Sequence, residues 1–477
     1  MKNGRHSATT KGLPMFSNMQ LPRREFLTQS GCGMGMMALA TMLNGNIASA
    51  AESVMIPPAI TKAKSVIWLF MNGGPSGIDL FTPKPALDKW DGKRFPGGIE
   101  TLFPHPGPIM KSPFKFKQHG QSGLPVSEIY PNLAKHVDEM TFLNACTSEA
   151  HNHVPACYMV NSGISRVGAP CVGSWTSYGL GSANDELPSY VVMYDYRTAP
   201  EGGANLWDAA YLPGQHQGVP FRPTDQPILY LNRPKTISAQ TPKQQLDLLQ
   251  KINRAHASKH PNQQELLTRI KSFETAYKMQ MAAPKLVDTS RESAATKKMY
   301  GIDTEESEVF GTQLLMARRM VEQGVRFVQV YHGGWDNNWD NHSNLEDQHR
   351  DLCFETDRPI AGLLSDLKQR GLLDETLVVW GGEFGRTPTS QDRDGRDHNP
   401  FGFTMWMAGG GVKKGYVHGQ TDELGYKPVE NKVTMHDLHA TILHLLGLDH
   451  EALTYRFGGR EQSLVNGLGR VVDEILA

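Results

Sequence analysis

The chain has 477 residues, with 48 Lys and Arg against 49 Asp and Glu, and 39% of it is hydrophobic. That length is enough to bury one large core or two medium ones, and the composition is that of an ordinary globular protein. The even charge excludes a basic nucleic-acid footprint, so no nucleic-acid partner is expected.

In chain order, the first segment stands apart. Lys2, Arg5, Lys11, Arg23 and Arg24 face a single acid, Glu25; a weakly apolar stretch runs from Cys32 to Leu43, and Ala48-Ser49-Ala50 follows. A basic region, an apolar region and an A-x-A cleavage site in that order predict an export signal over residues 1–50, with 51–477 as the mature domain. The "RREFL" at 23–27 resembles the twin-arginine signal. The twin-arginine export machinery is therefore an expected partner, and a periplasmic or secreted location is expected. The apolar stretch is too short and too Gly-rich to predict a stable membrane span. Of the later residues, Cys146, Cys157, Cys171 and Cys353 match no zinc spacing and read as buried free thiols.

Short apolar runs then predict buried strands at Ser65–Met71, Met140–Ala145, Tyr190–Met193, Val325–Tyr331, Thr376–Trp380 and Phe403–Ala408. Helical periodicity predicts helices over Glu305–Gln323, stopped by Gly324, and over about Glu346–Arg370, with Pro359 inside and Gly371 as the stop. A further helix starts after Thr434, and 246–283 also reads as helical. Continuous apolar strands alternating with helices predict an α/β fold with a mostly parallel central sheet covered on both faces. The Pro-, Gly- and Gln-rich stretch from 196 leads into a cap-like insertion within 196–300, giving one large domain rather than two.

In open α/β sheets ligands bind beyond the carboxyl ends of the strands. Asn72, Ser76 and Asp79 follow the first strand. Glu149, His151 and His153 follow the second. The Val325–Tyr331 strand leads to His332, Asp336, Asp340 and His342, and Thr376–Trp380 leads to Glu383, Arg386 and His398. One such loop is an ordinary turn, because Asp, Asn and Gly favour turns. Four at one edge predict a site, and mixed His and carboxylate donors suit zinc, manganese or iron better than a thiolate centre would.

The segments "RREFL", "GGPSGIDLFTPKP", "HNHVPACYMVNSG", "WDNHSNL", "TLVVWGGEFGRTP", "GRDHNPFGFTMWMAGGGVKKGYVHG" and "HDLHATILHLLGLDH" span almost the whole chain. Together they resemble a twin-arginine-exported, sulfatase-like family of unknown function within the alkaline phosphatase–sulfatase superfamily. The resemblance implies an alkaline phosphatase-like fold. It implies a divalent metal (zinc, manganese or calcium) held by Asp79, Asp340, His342, Glu383 and His398, with His153 and Arg386 as catalytic groups. It also implies hydrolysis of sulfate or phosphate esters, with anionic esters or sulfated glycans as substrates and polysaccharides within range.

Two departures qualify that reading. Glu383-Phe384 stands where the superfamily has an Asp-His pair, and His153 stands where sulfatases have Cys or Ser, with Cys157 four residues later. His153 is left as a ligand, a nucleophile or a base, and a helix N-terminus there is expected to keep it neutral. The rival expectation is a binding or scaffold protein that keeps the fold without the reaction.

Overall fold

The computed structural model describes residues 62–184, 186–195, 198–223, 251–256, 286–334 and 338–477, with isolated positions 55, 228, 248, 279 and 284. The expected export signal, most of the helical stretch 246–283, much of the expected insertion and Asp336 lie outside the described residues.

The sheet is built from β1 (Ser65–Met71), β2 (Met140–Thr147), β3 (Tyr190–Met193), β4 (Val219–Phe221), β5 (Phe327–His332) and β6 (Thr376–Gly381). It continues with β9 (Phe403–Ala408), β10 (Tyr416–His418) and β11 (Val433–Thr434); a separate hairpin, β7 (Gly385–Gln391) and β8 (Gly395–Asn399), precedes β9. The order across the nine-stranded sheet is β10-β2-β9-β6-β1-β5-β3-β4, and β11 also pairs with β2. All these pairings are parallel except those of β9, which runs antiparallel to both β2 and β6. The mostly parallel sheet is therefore as expected, with one reversed strand.

Among the described residues, the longer helices that cover it are α1 (His153–Ser162), α2 (Val172–Leu180), α3 (Glu305–Glu322), α4 (Leu345–Gln369) and α5 (Met435–Leu445). Period-two alternation in β1 explains the layering. Ile67, Leu69 and Met71 join the core that contains α3 and α4 residues such as Leu314 and Leu363. Val66, Trp68 and Phe70 join the core that contains Val160 of α1, Trp175 of α2 and Ile442 of α5. Each central strand thus buries both of its faces, which is why these strands read as continuous apolar runs. α5 opens with a capping box, in which Thr434 accepts from the Asp437 N–H while the Asp437 side chain accepts from the Thr434 N–H. Cys146, Cys157, Cys171 and Cys353 are buried free thiols. No helix among the described residues is long and apolar enough to cross a membrane.

Candidate metal centre

β1, β5 and β6 are parallel neighbours, so their carboxyl ends share one edge. The segment after β5 is drawn across this edge, with the Trp339 N–H donating to the Asn72 carbonyl at 2.9 Å. Gly73 makes that crossing possible. It sits at φ +109°, and a Cβ there would lie 2.6 Å from the Asp340 nitrogen. The Gly73 N–H in turn donates to Glu383 Oε1 at 2.9 Å, tying the end of β6 to the end of β1.

Three imidazoles converge on one carboxylate. His342 Nε2 lies 2.8 Å and His398 Nε2 3.0 Å from Asp340 Oδ1, and His153 Nε2 lies 3.1 Å from Asp340 Oδ2. One donor atom from each of the four residues falls within 4.8 Å of all the others. Each ring is held from behind by its Nδ1. His153 Nδ1 meets Glu383 Oε1 at 2.6 Å, His342 Nδ1 meets Gln391 Oε1 at 2.5 Å, and His398 Nδ1 meets the His151 carbonyl at 2.6 Å. Such outer partners fix the tautomer and leave Nε2 as the ligating atom.

His398 shows most clearly what the cluster lacks. A carbonyl only accepts, so Nδ1 must carry the proton, and burial pushes the pKa of the ring down to about 3. The ring is therefore neutral and its Nε2 carries a lone pair. That lone pair faces Asp340. Burial alone would raise the Asp340 carboxyl, but the Arg386 guanidinium and contacts from His153 and His342 outweigh it and hold the group well below the usual carboxylate range. A lone pair set 3.0 Å from an ionised carboxylate is an arrangement that a cation between them relieves. His153 Nε2 also faces Asp340, but on a ring that has to give up a proton before it can hold a metal. It is buried, close to Asp340 Oδ2, and not aligned as a hydrogen bond. The residues present fit a divalent metal with three nitrogen donors and one oxygen donor, a set suited to zinc, manganese or iron.

The expectation for the charge of His153 needs correction. It is the first residue of α1, as anticipated, yet its pKa is pushed up to about 10. Burial would lower it, but Asp340 on one side and Glu383 on the other outweigh both burial and the helix terminus.

Of the seven residues expected at the site, four form the cluster: His153, Asp340, His342 and His398. Glu383 lies directly behind it, holding His153 through Oε1, while its Oε2 is buried without a partner. Asp79 lies elsewhere. It is fully buried and forms a two-pronged pair with Arg396, at 2.7 Å from Nε and 3.1 Å from Nη2. A carboxylate so engaged is not offered to a metal at the cluster. Arg386 is also turned inward. It donates to the carbonyls of Gly73, Gly74, Trp339 and Arg396 and to Asp340 Oδ1 at 2.6 Å. It braces the acid and the loops around it, which makes it a positioning group rather than an open anion hook.

Sequence reading did not single out Arg396, Gln391 or Glu201. Arg396 and His398 share β8, and a register shift between them lets one reach Asp79 and the other Asp340. Polar side chains alternating in a fully buried strand were the available signal. Glu201 sits near the cluster with its carboxyl raised by burial, opposed by His153 and reinforced by Glu383 and Asp340.

The family described as "Protein of unknown function (DUF1501)" matches residues 63–476. No curated protein matches the chain. Among solved structures the chain is similar to the lipoteichoic acid synthase LtaP from Listeria monocytogenes, at 8% identity over 87% of this chain and 80% of that one, TM-score 0.37. It is similar to the PsFucS1 sulfatase from Pseudoalteromonas sp., at 13% identity over 82% and 68%, TM-score 0.36. It is also similar to the alkaline phosphatase from the Antarctic bacterium TAB5, at 9% identity over 82% and 99%, TM-score 0.36.

Proposed function

The chain belongs to the DUF1501 family, and from the three-histidine cluster we propose that it is an exported, metal-dependent hydrolase of sulfate or phosphate esters. The observation that carries this reading is the convergence of His153, His342 and His398 on the Asp340 carboxylate, with one donor atom of each of the four residues within 4.8 Å of the others. His153, Asp340, His342 and His398 would hold the ion. A divalent metal supplies Lewis-acid polarisation of the ester and makes water acidic enough to attack. The chain's own contribution is to set the donors: Glu383 orients His153, Gln391 orients His342, the His151 carbonyl orients His398, and Arg386 orients Asp340. No Ser or Cys stands at the start of α1, where His153 sits, so water is the attacking group on this reading.

The experiment pairs metal analysis of protein purified without chelator with turnover of 4-nitrophenyl phosphate and 4-nitrophenyl sulfate. Bound metal and turnover of either ester, both lost in His398→Ala, support the reading. Metal-free protein would contradict it. One observation favours a second reading, a binding role without turnover. Phe384 stacks on His398 with ring centroids 4.3 Å apart, placing an apolar ring beside the cluster. Bound metal with no ester turnover would select that role.

Export rests on the sequence of residues 1–50 alone. Arg23→Lys with Arg24→Lys should leave uncleaved precursor in the cytoplasm, whereas undiminished export would contradict the twin-arginine route. The metal domain would then act in the periplasm or outside the cell.

A further inference from the structure

A cavity of about 870 Å3 opens beside the cluster and shares His342 with it. A tetrahedral oxyanion occupies only a few water volumes of about 30 Å3 each, so the cavity is far larger than the reacting group alone requires. It falls in the size range of sites that enclose a whole small molecule.

Its walls are built and fixed. One is the segment Phe103–Pro108, where three prolines restrict the backbone. That segment is laced to β7, with Gly107 N–H donating to the Ser390 carbonyl at 3.0 Å and Ser390 N–H donating to the Pro108 carbonyl at 2.8 Å. The Phe103 N–H donates to Asp397 Oδ2 at 3.1 Å. The Phe103 ring is nevertheless 45% exposed, and it stands edge-on to His342 with centroids 5.2 Å apart. The cavity is also lined by the tip of the β7–β8 hairpin, where Asp392 and Arg393 both adopt left-handed backbone conformations, at φ 45° and 83°. Both side chains are exposed, and Arg393 has no ion pair or side-chain hydrogen bond among the described residues.

An exposed aromatic ring lining the same cavity as an exposed acid and an exposed base has a specific chemical complement. Asp392 and Arg393 cancel in charge, so the wall is not a trench for a polyanion. A planar carboxylate and a planar guanidinium instead match neighbouring hydroxyl groups as acceptor and donor. An aromatic face matches the C–H face of a saturated ring. We propose that this cavity receives a sugar ring carrying the ester, with Phe103 against the ring face and Asp392 and Arg393 on its hydroxyls. The assignment rests on the hydrolase reading for the position of the ester, but the ring contacts are independent of turnover.

The test is calorimetric titration of the full-length protein with glucose 6-sulfate, glucose 6-phosphate, 4-nitrophenyl sulfate and inorganic phosphate, with metal content measured on the same samples. The variants are Phe103→Ala and Arg393→Gln, both at exposed positions. Each should weaken both sugar esters by roughly three- to tenfold. Inorganic phosphate binding, metal content and melting temperature should stay as in wild type. Sugar esters bound no better than inorganic phosphate, or unaffected by both variants, would overturn the proposal. So would a loss on Phe103→Ala confined to the aryl ester. Metal-free protein that still loses sugar-ester binding in these variants would instead refute the hydrolase reading and leave this one standing.

Discussion

Asp79 and Arg396 meet where neither side chain is exposed, and their pairing decides how the protein responds to acid. Burial pushes the Asp79 carboxyl up, but the charge and hydrogen bonds of Arg396, with help from Ser76, bring it below the ordinary 3.8. A lowered folded pKa means stabilisation that is complete above the unfolded value and lost as pH falls through the folded one. Asp79→Asn should therefore cost about 3–5 kcal/mol at neutral pH, because it strands a buried guanidinium. In denaturant melts the gap to wild type should close only below pH 3.8. A gap independent of pH down to acid unfolding would contradict the ionised pair. Glu383 belongs to the other half of the site. Glu383→Gln keeps the shape but weakens the anchor on His153 Nδ1, and outer partners of this kind are typically worth 10–100-fold in metal affinity. Competition with a chromogenic chelator should show that loss, and the metal-free protein should melt lower as well, because the buried ion pair with His153 is broken; unchanged affinity would remove Glu383 from the site. The histidines and Asp340 were legible because each lies in a polar run after a strand. Asp79 looked equally good in sequence, and only the folded partner, Arg396, diverts it.

One element that sequence reading missed is the β7–β8 hairpin, expected only as a polar loop. Both of its strands are almost wholly buried while carrying Thr, Arg, Asp and His, so the usual alternation of apolar and polar positions never appears. Its function is positional, since it carries Arg386, Gln391, Arg396 and His398. Gly395 shows how tightly it is seated, because a Cβ there would fall 1.9 Å from the His342 carbonyl carbon. Gly395→Ala should push the hairpin away from the His342 segment, lowering both the melting temperature and metal affinity. Thr434→Ala is the contrasting case. It removes the capping box of α5 and should cost about 1 kcal/mol while leaving metal affinity intact, which thermal melts and chelator competition on the two variants together would check. Equal metal loss in both variants would mean that general destabilisation, rather than seating of the hairpin, controls the site. α5 and α3 were legible from the spacing of their apolar residues and from their stops, although α5 is buried on nearly every side.

At the scale of the whole molecule, the sheet was legible because parallel strands buried on both faces leave unbroken apolar runs, as Ser65–Met71 does. The short edge strands at Val219–Phe221 and Tyr416–His418 left no such run. The order of the sheet was not readable either, since it depends on which strands pair across long separations. That order is nevertheless what makes the site, because it puts the ends of β1, β5 and β6 side by side and brings His153 and His398 to the same edge. The central claim is that this edge holds a metal through three histidines and one aspartate. The most direct measurement is elemental analysis of wild type and His398→Ala, both purified without chelator and then dialysed against metal-free buffer. The account predicts close to one divalent ion per wild-type chain and a large loss in the variant, with both proteins folded by circular dichroism. Metal-free wild type, or a variant that keeps its metal, would contradict it.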